Sequence, residues 1–344
     1  MNLRDNLAKL TVIIFLAALL SSCTAIQGGI GKKPVTEEDL RKGTEALSMS
    51  FLENMPPAQV FSAEDTSAES GLFQLGLKLA NKGATDIERG MIALSLETGY
   101  VNDVKNKWKS SDSSLSDKYD GNFVTFQIAG KSPENPAGDT ITFSKVLQAA
   151  IPATDKESQK RKSTIIATAC YDYKTRKTVS ICVDPKPFAE RVGPKPCDVK
   201  DITFDSQGAP LAITKISPRM VLRGGGTSIE FVIYIKNKGN GQIIPSNKII
   251  EACNPKGGDK TFWGSIKEED LKLEFSTEEG GFKCSPFPMK LRGGDEDYLR
   301  CIYESAILGE QAYTTTLNIE FDYGYTHSVS KDITIERPPE VVSQ

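Results

Sequence analysis

Two separated stretches of this chain follow one pattern, and the pattern is that of a β-strand. Phe73-Gln74-Leu75-Gly76-Leu77-Lys78-Leu79-Ala80 alternates apolar with small or polar residues and ends in Asn81-Lys82-Gly83. Ile229-Glu230-Phe231-Val232-Ile233-Tyr234-Ile235-Lys236 does the same and ends in Asn237-Lys238-Gly239. A period of two places alternate side chains on one buried face, and Asn and Gly tolerate the left-handed backbone that ends a strand. A second marker recurs further on. Thr168-Ala169-Cys170-Tyr171-Asp172-Tyr173 is read as a strand entering a turn at Lys174-Thr175-Arg176-Lys177. Ile319-Glu320-Phe321-Asp322-Tyr323 is read the same way, with its turn at Gly324. The markers are similarly spaced in both halves, which implies two copies of one domain.

Each copy yields about seven short candidate strands, the number that an immunoglobulin-type sandwich needs. In the first half they fall at Leu47–Leu52, Leu72–Ala80, Met91–Leu96, Phe123–Ile128, Thr140–Leu147, Thr164–Tyr173 and Thr178–Val183. In the second they fall at Leu211–Ile216, Ile229–Lys236, Lys248–Ala252, Leu271–Phe275, Leu299–Tyr303, Thr314–Tyr323 and Ser328–Ile335. The expected fold is all-β: two tandem immunoglobulin-like β-sandwiches, residues 44–184 and 208–337. Between them lies a linker, 185–207, stiffened by Pro185, Pro187, Pro194 and Pro196. Residues 338–344 form a tail.

The strands ending in Asn-Lys-Gly resemble the strand B region of the cell-adhesion-related and alpha-galactosidase-associated immunoglobulin-like domains of prokaryotic surface proteins. The likeness covers about ten residues in each half, with strand count and order. It departs from antibody domains: Trp108 and Trp263 fall in predicted loops, and the first half holds no cysteine between Cys23 and Cys170.

The N-terminus states a destination. Arg4 and Lys9 precede the apolar run Leu10–Leu20, the order of a secretory signal over residues 1–22. The run is about half the roughly 20 residues that cross a bilayer, so it is a poor permanent anchor. Leu20-Ser21-Ser22-Cys23 resembles the lipobox of prokaryotic lipoproteins. That resemblance implies a diacylglyceryl group on Cys23 and cleavage before it, and two or three lipid chains hold firmly where one does not. Residues 23–43, beginning with the glycine-rich Gln27–Pro34 run, make a flexible lipid-anchored tether. The ectodomain then stands in the cell envelope, facing away from the cytoplasm.

Six cysteines remain: Cys170, Cys182, Cys197, Cys253, Cys284 and Cys301. An even number in an exported chain implies disulfides. Cys170 and Cys182 would face each other across the turn at Lys174–Lys177 if its loop is odd or bulged; Cys284 with Cys301 and Cys197 with Cys253 are the further expectations. Metal is not expected, with a single histidine, His327, and no close cysteine pair. Nothing calls for a cofactor.

Catalysis finds little footing. His327 sits on the last expected hairpin, and Ser328 and Lys331, spaced as a Ser-x-x-Lys dyad, point to opposite faces of a strand. Asp295, Glu296 and Asp297 could pair as glycosidase carboxylates, yet beside Arg292-Gly293-Gly294 they read as a loop tip. Asp117, Asp120 and Asn122 could offer oxygens to calcium, without EF-hand spacing. Arg223-Gly224-Gly225-Gly226 precedes a strand, whereas a phosphate loop opens a helix. With 42 Lys and Arg against 45 Asp and Glu, and its densest basic stretch, Lys156–Lys162, interleaved with acids, nucleic acid is not an expected partner. Aromatics at turns are the better pointer to a binding surface: Tyr323 and Tyr325, with Phe262 and Trp263. The expectation is a non-enzymatic, membrane-anchored surface lipoprotein that meets a protein or glycan partner or assembles in the envelope. A glycan hydrolase using paired carboxylates and a structural stalk are the alternatives.

Overall fold

Period-two alternation extends much further than a short hairpin strand requires, and it sets the architecture. The computed structural model describes residues 35–63, 70–119, 121–190, 193–224, 226–254, 261–276, 281–291, 294, 296–305, 307 and 309–339. The expected signal segment, Cys23, most of the expected tether, Asp120, Gly225, Asp295 and residues 340–344 lie outside them. From Glu37 on, the described residues form one unit, nearly all β, with two short helices, α1 (Glu37–Leu40) and α2 (Ile249–Ala252).

The central sheet is built on two strands, β9 (Lys160–Val183) and β19 (Tyr313–Glu336), paired antiparallel from Tyr313 opposite Val183 to Glu336 opposite Lys160. Beyond β9 follow β4 (Ile87–Ser95) and β7 (Phe123–Ile128). Beyond β19 lie β13 (Gln242–Ile244), β15 (Leu271–Phe275) and β2 (Gln59–Phe61). Two outer sheets complete the structure. One comes from the first half, in the order β1 (Leu47–Phe51), β3 (Leu72–Asn81), β8 (Thr140–Ala149), β5 (Val101–Asp103), with β6 (Lys109–Ser110) also on β8. The other comes from the second half, in the order β10 (Ile202–Thr203), β11 (Leu211–Arg223), β12 (Gly226–Asn237), β18 (Glu296–Tyr303), β16 (Phe282–Ser285). A small ladder joins β14 (Ser265–Ile266) to β17 (Met289–Lys290).

Three expectations are corrected here. No hairpin forms at Lys174–Lys177 or at Gly324, because the alternation never breaks. Ile165, Ala167, Ala169, Tyr171, Tyr173 and Thr175 are all buried on one face of β9, and Leu317, Ile319, Phe321, Tyr323 and Tyr325 match them on β19. The charges that looked like a turn tip face outward and pair across the ladder: Arg176 Nε meets Glu320 at 2.5 Å and Lys174 meets Asp322 at 3.5 Å. As a result the two halves share one sheet and one contiguous set of buried side chains, with residues such as Leu77, Phe126, Phe231 and Leu299 in it together, rather than meeting only through the Pro-rich segment. Finally, Lys248–Ala252, expected as a strand, ends in α2.

The repeat itself is present and has a clear basis. In each half the Asn side chain closes the strand end: Asn81 Oδ1 accepts the Gly83 N–H (3.1 Å) while its Nδ2 donates to Thr85 O (2.9 Å). Asn237 Oδ1 accepts the Gly239 N–H (3.2 Å) while its Nδ2 donates to Gly241 O (3.0 Å). A buried tyrosine from the central ribbon then meets each turn, Tyr173 accepting the Thr85 N–H (3.2 Å) and Tyr325 the Gly241 N–H (2.8 Å). The other two ribbon tyrosines receive the first N–H of an outer strand, Leu47 to Tyr171 (3.4 Å) and Leu211 to Tyr323 (3.3 Å). Each hydroxyl is thereby satisfied where an unpaired one would be costly.

The hydroxyls leave no room for a methyl group at the glycines. A Cβ at Gly83 would stand 1.8 Å from the Tyr173 oxygen and one at Gly239 2.3 Å from that of Tyr325. Gly83→Ala and Gly239→Ala should each destabilise by about 1–3 kcal/mol, the usual cost of overpacking, read as a lower urea midpoint. Gly239→Ala combined with Tyr325→Phe should cost less than the sum of the two single changes.

Candidate interaction surface

The aromatics singled out by the sequence are not displayed at turns. Tyr323 and Tyr325 are buried in the ribbon. Tyr323 shares a hydrogen bond with Thr175 Oγ1 (3.0 Å), and Tyr325 donates to Asn237 Oδ1 (3.0 Å). Burial pushes both phenols up, Tyr325 to about 12. Neither forms a binding surface; Tyr-Gly-Tyr reads as exposed only if the chain turns there, and it does not.

Phe262 and Trp263 are partly buried on the outer face of the central sheet, packed on Ala93, Cys170, Ile244, Ile249 and Cys253. They cover a disulfide, Cys170–Cys253, that ties β9 to the end of α2. This corrects two expected pairings. Cys170 and Cys182 lie on one unbroken strand, roughly 40 Å apart at the rise of an extended chain. Cys182 instead binds Cys197, closing the head of the Pro-rich segment, and Cys253 is taken by Cys170. Cys284 and Cys301 are bonded, as expected, from directly opposed positions on β16 and β18.

The candidate catalytic and calcium-binding groups are dispersed or already engaged. His327 is half-buried, and burial lowers its pKa against the opposing pull of Glu45. Ser328 Oγ shares a hydrogen bond with Thr168 Oγ1 (2.9 Å), and Lys331 follows on the same strand at the odd offset. Glu296 accepts from Thr214 (2.7 Å), and Asp297 accepts the N–H of Tyr298 (2.8 Å). Asp117 is held by both oxygens on Lys109 Nζ (2.7 and 2.8 Å), which lowers its pKa. Among the described residues no cluster of three or more His, Cys, Asp or Glu is placed to hold a metal ion. Arg223 and Gly226 are opposed where β11 turns into β12.

What the surface does display was missed in the sequence. Phe188 is 77% exposed and Leu222 63% exposed, and they line a groove of about 660 Å³ with Pro185, Pro187 and Ile307. Its floor is fixed. Thr227 Oγ1 donates to Pro185 O (2.5 Å), the Ile307 N–H donates to Thr227 O (2.8 Å), and the buried Asp184 holds Lys195 Nζ (2.9 Å) and the Lys186 N–H (3.1 Å). Lys186 and Glu310 form an ion pair at its rim. The available signal was a phenylalanine in an otherwise polar, proline-rich run, but that run read as linker.

No family model matches the chain, and no curated protein is similar to it. Among solved structures, the C-terminal domain of the Streptococcus pyogenes antigen I/II-family protein AspA aligns at 8% identity and a TM-score of 0.17, covering 86% of this chain and 100% of that one. The C-terminal domain of the Streptococcus agalactiae antigen I/II polypeptide BspA aligns at 9% identity and a TM-score of 0.15, covering 84% and 98%. Likeness at this level carries no argument about this chain.

The disulfide pattern gives a direct test. Peptide mapping without reduction should recover Cys170 joined to Cys253 and Cys182 joined to Cys197. Replacing Cys170 and Cys253, 83 residues apart, by Ser should cost about 4.5 kcal/mol in denaturant unfolding, the chain-entropy value for a loop of this length.

Proposed function

We propose that this protein is a non-catalytic lipoprotein of the cell envelope, anchored through Cys23, whose β ectodomain binds a protein partner at the cell surface. The observation that carries this reading is the set of three disulfides. Bonds of this kind persist in oxidising compartments and are rare in the cytosol, which agrees with a signal segment ending in a lipobox. No helix among the described residues is long and apolar enough to cross a membrane, so on this reading attachment falls to the lipid. The described carboxylates that a glycan hydrolase would use are engaged by Thr214 and by the Tyr298 backbone, which favours binding over hydrolysis. The contact surface on this reading is the Phe188–Leu222 groove: large exposed apolar side chains on a floor fixed by a disulfide and hydrogen bonds lose little freedom on association.

Anchoring is tested by fractionation. The full chain should enter the membrane and detergent-rich phases, and Cys23→Ser should move it to the aqueous phase; a Ser variant still held in the membrane refutes the lipid anchor. Binding is tested on cells. A chain carrying Phe188→Asp and Leu222→Asp, with its disulfide map intact, should lose at least tenfold in adhesion or partner capture. Equal capture by both forms removes the groove from the proposal.

A further inference from the structure

On the inner face of β8, between the apolar Phe143 and Leu147, stands a lysine. The Lys145 side chain is wholly buried. Its Nζ lies 3.0 Å from Asp103 Oδ1, donates to the main-chain oxygen of Asn106 at 2.7 Å and sits 5.7 Å from the centre of the Trp108 ring. Its pocket is closed by the end of β5, which carries Asp103, and by the excursion between β5 and β6, which carries Asn106 and Trp108. Trp108 packs edge-on against Phe143, at 6.3 Å between ring centres. Asp103 is fixed as well, its Oδ1 accepting the N–H of Lys105 (3.0 Å), a residue held at φ 55°. One group in this pocket has no partner: Asn106 Oδ1 is buried without a hydrogen bond, although it belongs to the residue whose carbonyl oxygen the lysine touches.

A buried polar atom without a hydrogen bond is rare and costly, and a buried lysine is stable only when paired. Together an amine, a carboxylate paired with it and the carboxamide of the residue whose main chain the amine already touches are the components of an amide exchange. We propose that Lys145 and Asn106 are joined by an intramolecular isopeptide bond between Nζ and Cγ, formed with Asp103 as the proton carrier. Asp103 takes a proton from the lysine ammonium, and the freed Nζ electron pair adds to Cγ of Asn106. The Asp103 acid places its proton on the resulting Oδ1 anion. A second proton passes from Nζ to Nδ2, Asp103 recovers the Oδ1 proton as the carbonyl re-forms, and the Cγ–Nδ2 bond breaks. Ammonia departs and leaves with the Asp103 proton as ammonium. The net change is a lysine ammonium and a primary amide giving a secondary amide and an ammonium ion, with no oxidant or reductant. Asp103 itself is the poorer acceptor. Its conversion needs a second acid to expel water, and none is among the partners that hold the Lys145 ammonium.

The bond would link β8 covalently to the β5–β6 excursion, a tie that reducing agents leave intact. The test is a proteolytic digest of the reduced, alkylated full-length protein analysed by tandem mass spectrometry. The expected result is a branched peptide joining Lys145 to Asn106, lighter than its parts by one ammonia, in nearly all molecules. Asp103→Ala should return Lys145 and Asn106 to separate peptides. Asn106→Asp should yield the same branched peptide with loss of water instead, a positive result that also shows the variant folds. Unlinked Lys145 and Asn106 peptides from folded wild-type protein overturn the proposal, as does a branch from Lys145 to Asp103.

Discussion

The structure depends on one pairing, the ladder between β9 and β19 along their whole length. Each strand supplies the other's backbone partners over a distance that two ordinary strands would have covered separately. Because one residue of slip would send every buried side chain to solvent, its register is held by the inner-face row of tyrosines and aliphatics. Both outer sheets pack on that row, and the hydroxyls of Tyr171, Tyr173, Tyr323 and Tyr325 reach the backbone where each outer sheet begins or turns. The internal repeat is therefore more than a doubled pattern: in the ribbon each turn-binding tyrosine lies opposite the strand-start tyrosine of the other half, Tyr173 opposite Tyr323 and Tyr325 opposite Tyr171.

Much of the all-β character was legible. Alternation at Leu72–Ala80 and at Ile229–Lys236 marked two long outer strands, β3 and β12, and Asn-Lys-Gly marked their ends because the Asn side chain makes the turn's hydrogen bonds itself. What misled was local chemistry without its partner strand. Lys174-Thr175-Arg176-Lys177 is polar enough for a turn, and Gly324 permits one, but the opposing strand offers salt bridges and a complete ladder to both segments. The same gap explains the cysteines: spacing identifies an even number of them, whereas which two meet depends on which strands are neighbours. Cys284 and Cys301 are only 17 residues apart in the chain, and their strands are neighbours in the sheet.

The surface groups divide on similar grounds. An aromatic residue beside glycine is displayed only where the chain reverses, so Tyr323 and Tyr325 went from expected contacts to core. Phe188 was overlooked because a proline-rich segment looks like a spacer, while in the structure Cys182–Cys197, Asp184 and Thr227 hold that segment against the second outer sheet. Lys145 carried no signal at all, since a lysine inside an alternating strand is ordinarily read as its solvent-facing member.

The long ladder also has a consequence in time. Lys160 is opposite Glu336, so the central sheet cannot close until almost the entire chain has arrived, and contacts this distant in sequence form slowly. A polypeptide delivered N-terminus first would hold β9 paired with β4 on one side and open to neighbouring chains on the side that β19 later covers. That edge stays exposed for the whole interval between the emergence of β9 and that of β19.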